Sequence, residues 1–348
     1  MEKGALRRLL SRRPKWLLGV FLFVLGGTAG FFTNLLLNAP EPKPMLEQHT
    51  GQYGFINPLL ECENSETFIR RELSQFREII EDKVEETIEE GKAESIAVYF
   101  RDLNNGPFFD VEGGEEFLDV EGGEKFVPGS ILKIPIMMAY LKQAEVDPSV
   151  LDRKIKFETS LPANQYVSPS ENLQSGQSYS VKELIYRMVV YSDNNATWLL
   201  DSNDTIGYKR RVYNDLGLPV PGDISGREYT LDIVDSAAFL RVLFNASYLT
   251  KDASVLALSI LSRTEFIGGL VAGVPPDVPV AHKFAEHGSD GGKQFHDCGI
   301  VYYPDYPYLL CVMTKGKNYP ALIATIAEVS RLTYEEVDRQ MKAAPSKN

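Results

Sequence analysis

Strand-forming stretches occur in two separate parts of this chain, with a long helical stretch between them. SIAVYFRDL (95–103) reads as a strand, and a second is expected after the turn-like NNG at 104–106. VPVAHKFAEH (278–287), GIVYYP (299–304) and YLLCVMT (308–314) read as three more. The tight PDYP segment should join the last two as a hairpin. From 130 to about 262 the pattern is mostly helical. SVKELIYRMVVY (180–191), NATWLLDS (195–202) and LDIVDSAAFLRVLFNAS (231–247) place apolar residues at helical spacing, with Thr230 as the candidate N-cap of the last. Amphipathic helices are expected at both ends, over 64–92 and 320–343. Strands that far apart share one core only if the helical block is inserted within a sheet. The expected fold class is therefore α/β (α+β): an antiparallel sheet of about five strands, flanked by N- and C-terminal helices, with an all-helical subdomain inserted.

The ends of the chain add a domain plan. Residues 17–37 (LLGVFLFVLGGTAGFFTNLLL) carry no charge and are long enough for a bilayer-spanning helix. Six basic residues lie in the tail 1–16, and Trp16 sits at the edge of the apolar run. This orientation predicts a cytoplasmic tail, a single-pass anchor in the cell membrane and an extracytoplasmic body. The rival is a cleaved signal peptide, but its apolar region is normally shorter and ends in a small-residue cleavage site. Residues 38–63, rich in proline and polar residues at their start, read as a linker, and 64–343 as one catalytic-sized domain. Net charge is −12 despite the basic tail, which argues against nucleic acid as a partner. A tandem repeat, DVEGGEEFL (110–118) then DVEGGEKFV (119–127), is too short for a solenoid and reads as a duplicated turn segment.

Three cysteines, Cys62, Cys298 and Cys311, do not make a disulfide framework. Cys298 and Cys311 should lie on neighbouring strands as two buried thiols, since bridging needs a specific approach. His282, His287 and His296 lack the spacings of a zinc site, so no metal or other cofactor is expected.

The strongest chemical oddity is FVPGSILKIPI (126–136). Ser130 and Lys133 stand three apart at the start of a helix, since Pro135 fits only in the first turns. A serine hydroxyl is a weak nucleophile unless a base takes its proton. A lysine supplies that base if burial and a second cation depress its pKa. The alternative is a serine N-cap beside a lysine that snorkels to water. A second element is YSDNNATW (191–198), where Ser192, Asp193 and Asn194 fall between helices. They read either as N-caps or as a proton relay (Ser192), a loop brace (Asp193) and a substrate-amide ligand (Asn194). The third is VAHKFAEHG (280–288), where Lys283 is either an edge-strand guard or the second cation.

S-x-x-K, then S-D-N, then a strand lysine, in this order, resembles the class A β-lactamase and penicillin-binding protein superfamily of serine hydrolases. The resemblance runs over about 64–343 and implies a β-lactamase/transpeptidase-like fold. It implies Ser130 as acylated nucleophile, Lys133 as its base partner, and Ser192 and Lys283 as further catalytic residues. Asn194, Phe284 and Glu286 would be substrate-binding, with the backbone N–H groups of Ser130 and Glu286 as the oxyanion hole. The substrate would be a β-lactam or a peptidoglycan peptide, split through an acyl-serine.

Two departures bear on that reading. The family's strand lysine is followed by Thr or Ser and then Gly, whereas here Phe284 and Ala285 follow Lys283. The E-x-x-L-N segment that carries a deacylating glutamate in class A enzymes has no full copy; the nearest match is EYTLD, with Glu228 as candidate base. Three functions are thus in competition: a β-lactamase, a carboxypeptidase or endopeptidase that clears its acyl group slowly, and a catalytically weak binding module of the same fold.

Overall fold

A computed structural model describes residues 45–49, 54–64, 70–104, 106–114, 125–159, 165–204, 207–222, 229–289 and 292–343. The expected membrane span 17–37 and Glu228 lie outside them. Among the described residues no helix is long and apolar enough to cross a membrane.

The strands are β1 (Met45–His49), β2 (Leu59–Asn64), β3 (Ser95–Asp102), β4 (Phe108–Gly114), β5 (Lys154–Lys156), β6 (Ser178–Ser180), β7 (Val280–Ser289), β8 (Gly292–Val301) and β9 (Tyr308–Gly316). The helices are α1 (Arg70–Glu89), α2 (Lys133–Ala144), α3 (Val181–Val190), α4 (Asn194–Ser202), α5 (Tyr208–Asp215), α6 (Ile233–Phe244), α7 (Lys251–Leu261) and α8 (Tyr319–Ala343). Five strands form the main sheet in the order β4-β3-β9-β8-β7, antiparallel throughout. The sequence order is thus rebuilt in space: β3 and β4 pair with the C-terminal β9, and α2 to α7 are the insertion.

Both faces of the sheet are covered, which is why β3 reads as an unbroken apolar run. Alternation sends Ile96, Val98 and Phe100 to one side, where Phe76, Ile80 and Val84 of α1 and Leu322, Ile326 and Val329 of α8 meet them. Phe76 lies edge-on to Phe100 at 4.8 Å and to Phe109 at 5.0 Å, pairs worth about 0.5–1.5 kcal/mol each beyond their buried area. Ala97, Tyr99, Ala281, Ala285 and Met313 face the other way, onto the helical subdomain. Strand β7 is the outer strand at one side, so its free edge is available to form a site.

Several local expectations change. The stretch expected as a linker contains two paired strands, β1 and β2, with Met45 opposite Asn64. Its prolines do not prevent this, because Pro44 precedes β1 and Pro58 precedes β2. Asn64, expected to open the first helix, ends β2 instead, and the described course of that helix starts at Arg70. Helix α6 is capped by Asp232 rather than Thr230: the Asp232 carboxylate accepts from the Asp235 N–H at 2.7 Å. Leu231 is held extended by two backbone hydrogen bonds to Phe126, each 3.0 Å, so the helix cannot start earlier. The helical block also contains a small two-stranded sheet, β5 with β6. Cys298 and Cys311 are joined as a disulfide rather than two thiols. They are directly opposed in the β8–β9 register, which brings their side chains together on one face.

Candidate active site

Ser130 lies in a 3-10 turn, Gly129–Leu132, that runs directly into α2. The approach to this turn is fixed from the sheet. Gln294 Oε1 accepts the Val127 N–H at 2.9 Å, and His296 Nε2 meets the Val127 carbonyl at 3.1 Å. His296 is buried, and its pKa is pushed down to about 4, so it serves here as a neutral donor. Gly129 has φ +51, and a Cβ there would stand 3.1 Å from the Glu286 carbonyl oxygen. Only glycine permits both the left-handed turn and this approach of the turn to β7.

Lys133 is 3% exposed and lies one turn below Ser130. Its Nζ donates to the Ser192 carbonyl at 2.6 Å, the Ser192 hydroxyl at 2.9 Å and the Asn194 Oδ1 at 2.8 Å. Three donors meet three acceptors, so the head group is buried but satisfied. Burial lowers its pKa to about 7, against the opposing pull of the Asp193 and Glu286 carboxylates. The apolar setting that made this lysine odd in sequence therefore makes it a base near neutrality.

Lys283, fully buried, reaches the same point from β7. Its Nζ donates to the Ser192 hydroxyl at 3.0 Å and to the Phe284 carbonyl at 3.1 Å. Burial first, and the positive charge of Lys133 second, hold its pKa well below the usual lysine range. Ser192 is the hub of the arrangement. Its hydroxyl meets both lysines and donates to the Ser130 hydroxyl at 3.3 Å. It adopts φ +54, a left-handed conformation costly for a non-glycine residue by about 1–2 kcal/mol. Asp193 braces the same loop by capping α4, accepting from the Asn195 N–H at 2.8 Å and the Ala196 N–H at 3.2 Å.

The structure brings Ser130, Lys133, Ser192, Asn194 and Lys283 together, with Lys133 meeting Ser130 through the Ser192 hydroxyl. It corrects the reading of Phe284, whose ring is 2% exposed and cannot face a substrate. The ring instead covers the Lys283 ammonium at 4.0 Å and lies against Phe266 at 4.5 Å. Alternation along β7 sends Lys283 and Ala285 toward the helical subdomain and Phe284 toward α8. His282 and Asp297 are also buried, paired at 2.8 Å, with Asp297 accepting the Leu270 N–H at 3.0 Å. Among the described residues no cluster of histidine, cysteine and acid side chains fits a metal.

A segment without a motif completes the site. Gln165 Nε2 donates to the Ser192 carbonyl at 3.0 Å. The next two residues, Tyr166 and Val167, give their N–H groups to the Glu286 carboxylate at 2.7 and 3.0 Å. Residues 165–167 thus strap the S-D-N loop to the edge of β7. No helical or strand period marks them; only the polar run SPSEN that follows signals a loop.

A model of the beta-lactamase enzyme family matches residues 79–337. The chain belongs to that family. It is a serine hydrolase acting on amides. Solved structures with the same fold include the protein PBP-A, with TM-score 0.61 and 22% identity, covering 77% of this chain and 97% of that one. A class A beta-lactamase from Mycobacterium abscessus gives TM-score 0.60 and 21% identity over 74% of this chain and 99% of its own. A beta-lactamase from Chitinophaga pinensis gives 0.61 and 20% over 76% and 99%. No curated protein matches the chain.

Proposed function

We propose that Ser130 attacks a β-lactam or related amide and carries the acyl group as an ester. The observation that carries this is the hydrogen-bonded chain from Ser130 through Ser192 to two buried amines of depressed pKa. Ser130 gives its proton to the Ser192 hydroxyl, which passes its own to a neutral lysine Nζ. The Ser130 oxygen bonds to the carbonyl carbon, and the resulting oxyanion is held by the backbone N–H groups of Ser130 and Glu286. The Glu286 carbonyl faces Gly129, and in an extended strand the N–H of the same residue points to the same side, which supports this use. As the C–N bond breaks, the ammonium returns a proton through Ser192 to the leaving nitrogen. Asn194 borders this path and orients the substrate amide.

A slow release of the acyl group is favoured by a separate observation. Among the described residues, the carboxylates beside Lys133 are Asp193 and Glu286. Asp193 caps α4 and Glu286 clamps the 165–167 strap, so each of the two is engaged in holding a loop. PBP-A, of similar fold, is known as an acyl-enzyme complex with penicillin G in its L158E mutant. We further propose that residues 17–37 anchor the protein in the cell membrane with the hydrolase outside, supported by the uncharged run and the basic tail before it.

Incubation with a labelled penicillin, followed by intact mass over time, tests this. A transient adduct with hydrolysed drug indicates a β-lactamase. A long-lived adduct indicates a penicillin-binding enzyme active on cell-wall peptides. Absence of any adduct, with Ser130→Ala indistinguishable from wild type on peptidoglycan fragments, refutes both. Sedimentation of the protein with membranes, and its loss to the supernatant on deleting residues 1–37, tests the anchor.

A further inference from the structure

The Ser192 carbonyl accepts from two donors, Lys133 Nζ at 2.6 Å and Gln165 Nε2 at 3.0 Å. A carbonyl oxygen has two lone pairs, so both are used. The N–H of the same peptide, on Asp193, donates to the Arg187 carbonyl at 3.2 Å. The peptide after Ser192 is thus gripped on both sides. Ser192 stands at φ +54, a conformation that a non-glycine residue keeps only when its surroundings impose it.

The chemical use of that grip follows from the protons on Lys133. As an ammonium, Nζ has three N–H groups for its three neighbours: the Ser192 carbonyl, the Ser192 hydroxyl and the Asn194 Oδ1. As a base it is neutral, with two N–H groups and one lone pair. The Ser192 carbonyl and the Asn194 Oδ1 only accept, so they take the two N–H groups. The lone pair is left facing the Ser192 hydroxyl, the neighbour that donates and that also meets Ser130. A carbonyl that swung away would release one N–H and let the lone pair turn off this line. The aim of the base therefore depends on where the Ser192 carbonyl stands.

Of the two donors on that carbonyl, Lys133 changes its protonation during the reaction and Gln165 does not. Gln165 is anchored by its neighbours. Tyr166 and Val167 give their N–H groups to the Glu286 carboxylate at 2.7 and 3.0 Å, and the Tyr166 ring lies 4.7 Å from that of Tyr319. Its anchors thus belong to β7 and α8, not to the loop that carries Ser192.

We infer that Gln165 is a positioning residue for acyl transfer: it holds the Ser192 carbonyl in place and so aims the Lys133 lone pair at the Ser192 hydroxyl. This rests on the proposed acyl-transfer reading and adds a residue to its machinery.

The test compares full-length wild type with Gln165→Met, which keeps the length and removes the donor. Intact mass against time, over a series of labelled penicillin concentrations and pH values, gives the limiting acylation rate and the half-saturating concentration. The limiting rate should fall about three- to tenfold, the worth of one hydrogen bond, with half-saturation within about twofold of wild type. The Lys133 titration should also move to higher pH, because a carbonyl freed of Gln165 accepts more strongly from the ammonium. The charged groups that act on Lys133, namely Asp193, Glu286 and Lys283, are the same in both proteins. The titration is read without penicillin, by NMR of lysine labelled with 15N at Nζ, the signal being assigned by its loss in Lys133→Met. An unchanged limiting rate, or a loss confined to half-saturation, overturns the inference. So does a titration that does not move, whether or not adducts form and whatever the change in thermal stability. A titration that moves upward in a protein that forms no adduct rejects the acyl-transfer reading alone.

Discussion

Lys133→Met would test whether the buried lysine is held at an energetic cost. Methionine keeps the length and removes the charge. In the folded protein the Lys133 pKa is lowered from 10.5 to about 7. At 1.36 kcal/mol per unit this shift corresponds to about 5 kcal/mol against the charged form in the folded state. The unfolded chain binds more protons than the folded one between the folded pKa, about 7, and 10.5. Wild-type stability therefore rises with pH across that window, by at most about 1.4 kcal/mol per unit from this group. Below the window the full cost is present, and above it the cost is gone.

Against this stand three hydrogen bonds made by Nζ. In the variant the Ser192 carbonyl keeps Gln165 and the Ser192 hydroxyl keeps Lys283, so the Asn194 Oδ1 is the acceptor that loses this donor. That loss costs about 1–3 kcal/mol. Net, the variant should be about 2–4 kcal/mol more stable than wild type at pH 6 and about 1–3 kcal/mol less stable at pH 10.5. Removing Lys133 also relieves Lys283, whose pKa it depresses, which adds to the gain at low pH. Urea unfolding of both proteins from pH 6 to 10.5, without reductant, measures the difference. A difference that does not change with pH, or a variant less stable at pH 6, refutes the reasoning. Acylation by penicillin should be lost in the variant at every pH.

Further outcomes follow from the same contacts. Asp193 raises the Lys133 pKa, so Asp193→Ala should shift the rising limb of acylation rate against pH to lower pH; it should also cost about 1 kcal/mol by uncapping α4, read by thermal unfolding. Phe284→Ala should destabilise by about 3–5 kcal/mol in urea unfolding, as expected for a buried ring, whereas a substrate-facing ring would leave stability near wild type. Cys298 and Cys311 should resist iodoacetamide, even in denaturant, until a reductant is added; intact mass reads the number of labels.

The sheet was legible in sequence because its strands are bounded by turns and its apolar runs are long. Residues 95–103 and 308–314, far apart in sequence, pair residue by residue as Val98 with Val312. The nucleophile turn and the S-D-N loop were legible because the chemistry needs those residue types at fixed spacings. What the sequence hid depends on side-chain direction. His282 and Phe284 flank Lys283 in sequence, yet the two-residue period of β7 sends both to the opposite face of the sheet. The N-cap of α6 moved because Leu231 is claimed by Phe126, a partner 105 residues away that no local rule names.

Gln165 and Glu286 show the same limit from the other side. Glutamine in a loop carries no turn signal, and the resemblance assigns Glu286 through its backbone N–H, not through the carboxylate that holds the strap. Their contacts exist only because the loop crosses to β7, and that crossing is a property of the whole fold. The consequence is chemical. The motifs fix which atom attacks and which amines take its proton, and they are shared by enzymes with very different substrates. The two residues that differ from the family pattern, Phe284 and Ala285, follow the strand lysine directly. Phe284 and Ala285 are spent on packing: one ring covers the Lys283 ammonium, and one methyl packs against the helical subdomain. Substrate choice in this chain should therefore rest on groups other than the hydroxyl that the usual motif would have supplied.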